Sequence, residues 1–183
     1  MIKGGITMSI EDDFNHFMKC LIEAGTKIDS HYFKLSVAGA ENPIFRERVY
    51  CYELYHQLRC TLGDGFPYKL DGEVDKAGHP SLQGEKKPDF IVHVPGEMEQ
   101  NLAVIEVKST ETLSEEVRKD IGKLKEFIKK AAYYRGVMLI YGNDENKFKN
   151  IQRNIGNLPQ SILLVWHQKP GEQPKVTNND QTT

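Results

Sequence analysis

Cysteine is scarce and unpaired. Cys20, Cys51 and Cys60 are an odd number with no Cys-x-x-Cys spacing, which excludes a disulfide framework and points to reduced thiols. The six histidines are scattered, and none pairs with another His or Cys at a zinc-ligand spacing, so a structural zinc site is not expected. No apolar run approaches the ~20 residues that cross a bilayer. The opening residues, MIKGGITMSI, lack the charged start and long apolar core of a secretory signal, so the cytoplasm is the expected location. Glycine-rich phosphate loops are also missing. Neither Gly-x-x-x-x-Gly-Lys-Ser/Thr nor Gly-x-Gly-x-x-Gly occurs, which argues against an α/β protein of the nucleotide-binding class. Nor is there an excess of one charge, the net value being −2. Residues 1–85 carry net −4 and residues 86–170 net +3, a bias compatible with phosphate contact but equally with ordinary surface solvation.

What is present is an apolar fraction of 39% in 183 residues, enough for one domain with a real core. Residues 9–24 open on Ser9 and acids, then place Phe14, Phe17, Met18, Leu21 and Ile22 at helical spacing before Gly25, as in a capped amphipathic helix. A second helix is predicted over 43–62, from Pro43 to the stop at Gly63-Asp64-Gly65. FPYKLDGEVD (66–75) alternates with period two and reads as a strand with one polar face. A polar, glycine-bearing loop follows, and then PDFIVHV and LAVIEVKS read as two more strands, which can complete an antiparallel meander. Residues 112–134 carry a Thr112–Glu115 capping pair and one apolar stripe, predicting a long helix. GVMLIYG (136–142) reads as a buried parallel strand, DENKFKNIQRNI as a helix and SILLVWHQ as a last strand. From Pro170 the chain is polar and without periodicity, so a single domain over 1–170 with a flexible tail over 171–183 is predicted. The order α-α-β-β-β-α-β-α-β, with late strands apolar on both faces, predicts a three-layer α/β/α domain around a mixed sheet.

Against that background the charges in PDFIVHV and LAVIEVKS stand out. Residues two apart on a strand share a face, so Glu106 and Lys108 point one way with Val104, while Ala103, Ile105 and Val107 point the other. On the preceding strand Asp89 shares its face with Ile91 and His93. If the strands pair, Asp89 and Glu106 converge, and two close carboxylates repel unless a cation intervenes. Oxygen donors without His or Cys suit a hard ion, Mg²⁺ or Mn²⁺. A structural ion pair between Glu106 and Lys108 is the plainer alternative. Glu-x-Lys occurs three times, but only Glu106-x-Lys108 lies in an apolar strand after a Pro-Asp that opens another.

Pro88-Asp89, sixteen intervening residues, then Glu106-Val107-Lys108 resembles the PD-(D/E)XK nuclease superfamily, with its restriction-endonuclease-like fold. The predicted order over about residues 43–142 is similar to that fold's αβββαβ core; the first helix and the last helix and strand are additions to it. The resemblance implies Asp89 and Glu106 as metal ligands, the Val107 carbonyl as a further ligand, and Lys108 beside the attacking water. It also implies an acid from the first core helix, best matched by Glu53, whose alternative is a rim salt bridge. Glu47 lies ~120° around the same helix and matches less well. Lys108 is unsuited to serve as a free base, because taking its proton at pH 7 costs roughly 4 kcal/mol from an unperturbed pKa near 10.4. Glu73 reads as part of an exposed polar strand face, His93 as a neighbour of the site, and Lys119 and Lys123 as a solvated helix face or phosphate contacts. The implied activity is Mg²⁺- or Mn²⁺-dependent hydrolysis of DNA, less readily RNA, by a chain that pairs as a homodimer if both strands are cut. The alternative is a catalytically inactive module of the same fold that binds nucleic acid or a protein.

Overall fold

The structure is a computed structural model, and it describes residues 9–73 and 87–177. Helix α1 (Ile10–Thr26) starts at Ser9, whose hydroxyl accepts from the Asp12 N–H at 3.1 Å while the Asp12 carboxylate accepts from the Ser9 N–H, a reciprocal cap. A single turn, α2 (Ser30–Phe33), was not expected from the sequence. Helix α3 (Glu47–Leu62) begins four residues later than Pro43 suggests, because Leu35 and Ile44 pair as an isolated antiparallel bridge.

Strands β1 (Lys69–Gly72), β2 (Phe90–His93) and β3 (Asn101–Ser109) form the expected meander. The first strand is shorter than expected at both ends, and its Val74 and Asp75, like most of the polar loop after it, lie outside the described residues. Helix α4 (Ser114–Lys130) leads into β4 (Tyr133–Tyr141), and α5 (Glu145–Ile155) into β5 (Ile162–His167). β3, β4 and β5 are mutually parallel. The Thr112–Glu115 cap does not form: Leu113 is the residue before α4 and gives no side-chain cap, while the Thr112 N–H donates to Ser109 O. The helix also stops before 134, since Ala132 takes a positive φ of 52° and Tyr133 already belongs to β4.

The tail needs correction. Residues 171–177 are fixed on the domain, and Lys175–Val176 form β6, antiparallel to β5. The Gly171 N–H donates to Ile28 O and the Thr177 N–H to Leu164 O. Pro174 lies so close over Gly25 that a Cβ there would stand 2.3 Å from its Cγ. Backbone pairing and one proline contact hold this segment, and neither leaves an apolar period in the sequence. Residues 178–183 lie outside the described residues.

The sheet order is β1-β2-β3-β4-β5-β6, with two apolar cores. One face packs Ala103, Ile105, Val107, Leu139 and Tyr141 against α1, α2 and α3. The other packs Ile91, Val104, Met138 and Ile140 against α4 and α5. The fold is therefore a three-layer α/β/α domain around a mixed sheet. Among the described residues, no helix is long and apolar enough to cross a membrane.

Candidate active site

The alternation along β3 places Val104 in the core under α4, and Ala103, Ile105 and Val107 in the core under α3. Glu106 and Lys108 thus leave the strand on the α4 side. Asp89 immediately precedes β2. The register Ile91↔Val104, Phe90↔Ile105 brings it level with Glu106 where the ladder stops. Past that point Asp89 itself takes the place of a strand partner: the Val107 N–H donates to Asp89 Oδ2 at 2.7 Å. The N–H and C=O of one strand residue leave on the same side, so the Val107 carbonyl opens toward the same gap.

The gap lets both helix layers reach the charges. Lys108 Nζ donates to Glu47 Oε1 at 2.7 Å, from the first turn of α3, and lies 3.4 Å from Asp120 Oδ2 on α4. Lys123, three residues on, lies 3.1 Å from Asp120 Oδ1 and 2.8 Å from Glu106 Oε1. Three carboxylates, Glu47, Asp120 and Glu106, and two ammonium groups make one network, with Asp89 beside it on the Val107 N–H. Glu106 is 2% exposed, and its Oε1 has an ionic neighbour in Lys123 but no aligned hydrogen-bond donor among the described residues.

Burial dominates the electrostatics. It pushes the Asp89 carboxyl up to about 6, against the opposing pull of the Val107 N–H and Lys108. Burial, then the charge of Asp89, pushes Glu106 up to about 8, although Lys123 draws it back. For Lys108, desolvation favours the neutral amine, but the hydrogen bond and charge of Glu47, with Asp120 and Asp89, outweigh it and hold the pKa above the usual lysine range. Lys123 is raised in the same way by Glu106 and Asp120 against its own desolvation.

The sequence-predicted residues divide accordingly. Asp89, Glu106, Val107 and Lys108 are brought together. Glu53 is not among them: its carboxylate accepts from Gln57 Nε2 at 2.6 Å, and it stands ~9 Å along α3 from Glu47. The helix acid at the site is Glu47, because α3 points its N-terminal end at the gap. Lys119 is exposed and paired with Glu115 at 3.7 Å, whereas Lys123 is a counter-ion inside the network. His93 bonds Asp71 Oδ2 at 2.9 Å beyond an irregularity in the β2–β3 register, so it belongs to that pair. Glu73 lies 3.2 Å from Arg48 Nε at a neighbouring cleft. Asp120 was missed, and its signal was the Asp120-x-x-Lys123 spacing at the edge of the α4 apolar stripe.

The donor set is of the kind a hard divalent cation takes: every donor is oxygen, and burial holds two of the carboxylates above their ordinary range. Among the described residues, however, no three His, Cys, Asp or Glu side chains are gathered tightly enough to hold a metal as they stand. Lys123 and Lys108 occupy the space between them. No protein-family model matches the chain, and no curated protein matches it.

Proposed function

We propose that this chain is a divalent-cation-dependent nuclease that hydrolyses phosphodiester bonds of DNA, and that its likeness to the PD-(D/E)XK nucleases extends to their chemistry. The observation that carries this reading is the meeting of Asp89 and Glu106 where β2 leaves β3, beside an ammonium group held protonated. Asp89, Glu106 and the Val107 carbonyl would hold Mg²⁺ or Mn²⁺, with Glu47 as the helix acid. A cation there would supply Lewis-acid charge to the phosphoryl oxygens and make water a better nucleophile. Lys108, kept charged by Glu47 and Asp120, orients water and offsets negative charge developing on the phosphate. It does not act as a base. Lys123 neutralises Glu106, and would be released to contact phosphate if a cation took over that charge. We further place the chain in the cytoplasm, with two copies cooperating where both strands are cut.

The test is cleavage of DNA by the purified protein with Mg²⁺ or Mn²⁺, alongside Asp89→Ala and Lys108→Ala. Metal-dependent cleavage that each substitution lowers by at least about a hundredfold is the expected result; cleavage surviving both removes these residues from the chemistry. One observation favours a second reading, an inactive module of the same fold that binds nucleic acid or a protein: the two lysines already neutralise the acids. In that case Mn²⁺ does not bind at the gap and no cleavage is seen.

A further inference from the structure

A cleft of about 380 Å³ opens beside the acidic gap and shares Glu47 and Asp89 with it. Its volume lies within the range of small-ligand pockets, ~300–1,000 Å³. Three aromatic rings line it. Phe90 is buried, and Tyr55 stacks on it with centroids 6.2 Å apart and planes 20° from parallel. Tyr55 is fixed by its hydroxyl, which donates to Leu70 O at 3.2 Å. Tyr52 stands on the same helix with 62% of its surface exposed, a large aromatic side chain with little packing to explain it. Gly72 forms part of the wall. A Cβ there would meet Asp89 O at 3.6 Å, Phe90 at 3.7 Å and Tyr55 at 3.8 Å, so glycine keeps open a space that any side chain would partly fill.

The charges at this cleft decide what can enter. Glu47, Glu73 and Asp89 line it with Arg48 as the cation, and Arg48 is already paired with Glu73. Three carboxylates against one engaged guanidinium repel a phosphate. Flat aromatic walls with carboxylate acceptors and a guanidinium donor at the rim suit a neutral, planar, hydrogen-bonding ring. Cys51 adds no chemistry, since burial holds its thiol well above the usual range.

We infer that this cleft takes one unpaired nucleobase, stacked on the exposed Tyr52 and bordered by Tyr55 and Phe90, while the adjoining phosphate lies at the Asp89–Glu106 gap. The inference rests on the nuclease reading for the phosphate. A base inside a duplex has both faces covered by its neighbours, so entry requires a single-stranded or extruded nucleotide. The preferred substrate is therefore DNA with an unpaired base at the cut.

The experiment compares a fluorescein-labelled single-stranded oligodeoxynucleotide with the blunt duplex of the same sequence. Binding is read by anisotropy with Ca²⁺, and cleavage with Mg²⁺, for wild type, Tyr52→Ala and Gly72→Val. Tyr52 is exposed and Gly72 meets only ordinary contacts, so both variants are expected to fold, which circular dichroism checks. The inference predicts that single strands are bound and cleaved about tenfold better than duplex, and that each variant removes this advantage. Wild-type cleavage with no single-strand preference, or a preference unchanged in both variants, overturns the base cleft and leaves the nuclease reading standing. No cleavage of either DNA, with a single-strand binding preference that both variants abolish, supports the cleft and overturns the hydrolytic reading. No cleavage and no such preference overturns both.

Discussion

At the scale of single residues, the gap sets acids against one another, and only some of them would carry the proposed chemistry. Glu47 reaches Lys108 at 2.7 Å, whereas Glu53 is bonded to Gln57. Glu47→Gln is therefore expected to lower metal-dependent cleavage about tenfold or more, because Lys108 loses the carboxylate that fixes it. Glu53→Gln should stay within about twofold in the same initial-rate assay. A second expectation follows from the carboxyls held up to about 6 for Asp89 and about 8 for Glu106. A raised acid pKa favours the folded state below the unfolded value near 4, and that contribution is lost as pH rises through the folded value. The proposed divalent cation would reverse the loss by replacing the protons. Saturating Mn²⁺ should thus raise the melting temperature more at pH 8.5 than at pH 5.5, and Glu106→Gln should flatten the difference.

At the scale of elements, two contacts between distant segments are open to test. Gly25 on α1 lies under Pro174, so Gly25→Ala overpacks the contact. A loss of about 1–3 kcal/mol is expected in urea unfolding, and Pro174→Ala should restore most of it in the double variant. On β5, fully buried His167 meets Tyr50 Oη through Nδ1 at 2.8 Å. Burial lowers its pKa to about 4. Its contribution is present above the unfolded value near 6.5 and is lost as pH falls toward about 4, roughly 3 kcal/mol in all. His167→Leu should remove that share of the acid sensitivity. The elements themselves were largely legible, the helices from their periodicity and the central strands because a strand between two cores is apolar on both faces, as Leu102 to Val107 are apart from Glu106. Four features were not, the single turn α2 among them. The start of α3 depends on the Leu35–Ile44 bridge, which has no local pattern. The cap of α4 fails because Thr112 is held in a turn by Ser109. β6 is read only through β5. In the site, Asp89, Glu106 and Lys108 were legible as charges in apolar strands. The choice of Glu47 over Glu53 and the entry of Asp120 depend on which helix end meets the gap, a tertiary fact.

At the scale of the whole molecule, β2 leaves β3 at Asp89, and among the described residues helices from both faces reach that opening. α3 supplies Glu47, α4 supplies Asp120 and Lys123, and the aromatic cleft adjoins the same place. A buried network of this kind costs stability unless its charges are matched, and the proposed cation would match those of Asp89 and Glu106. Calorimetric titration of the protein with Mn²⁺ tests this most directly. The account predicts one site per chain that Asp89→Asn and Glu106→Gln abolish and Glu53→Gln leaves intact. Absence of binding by the wild-type chain, or binding that survives both substitutions at the gap, would contradict it.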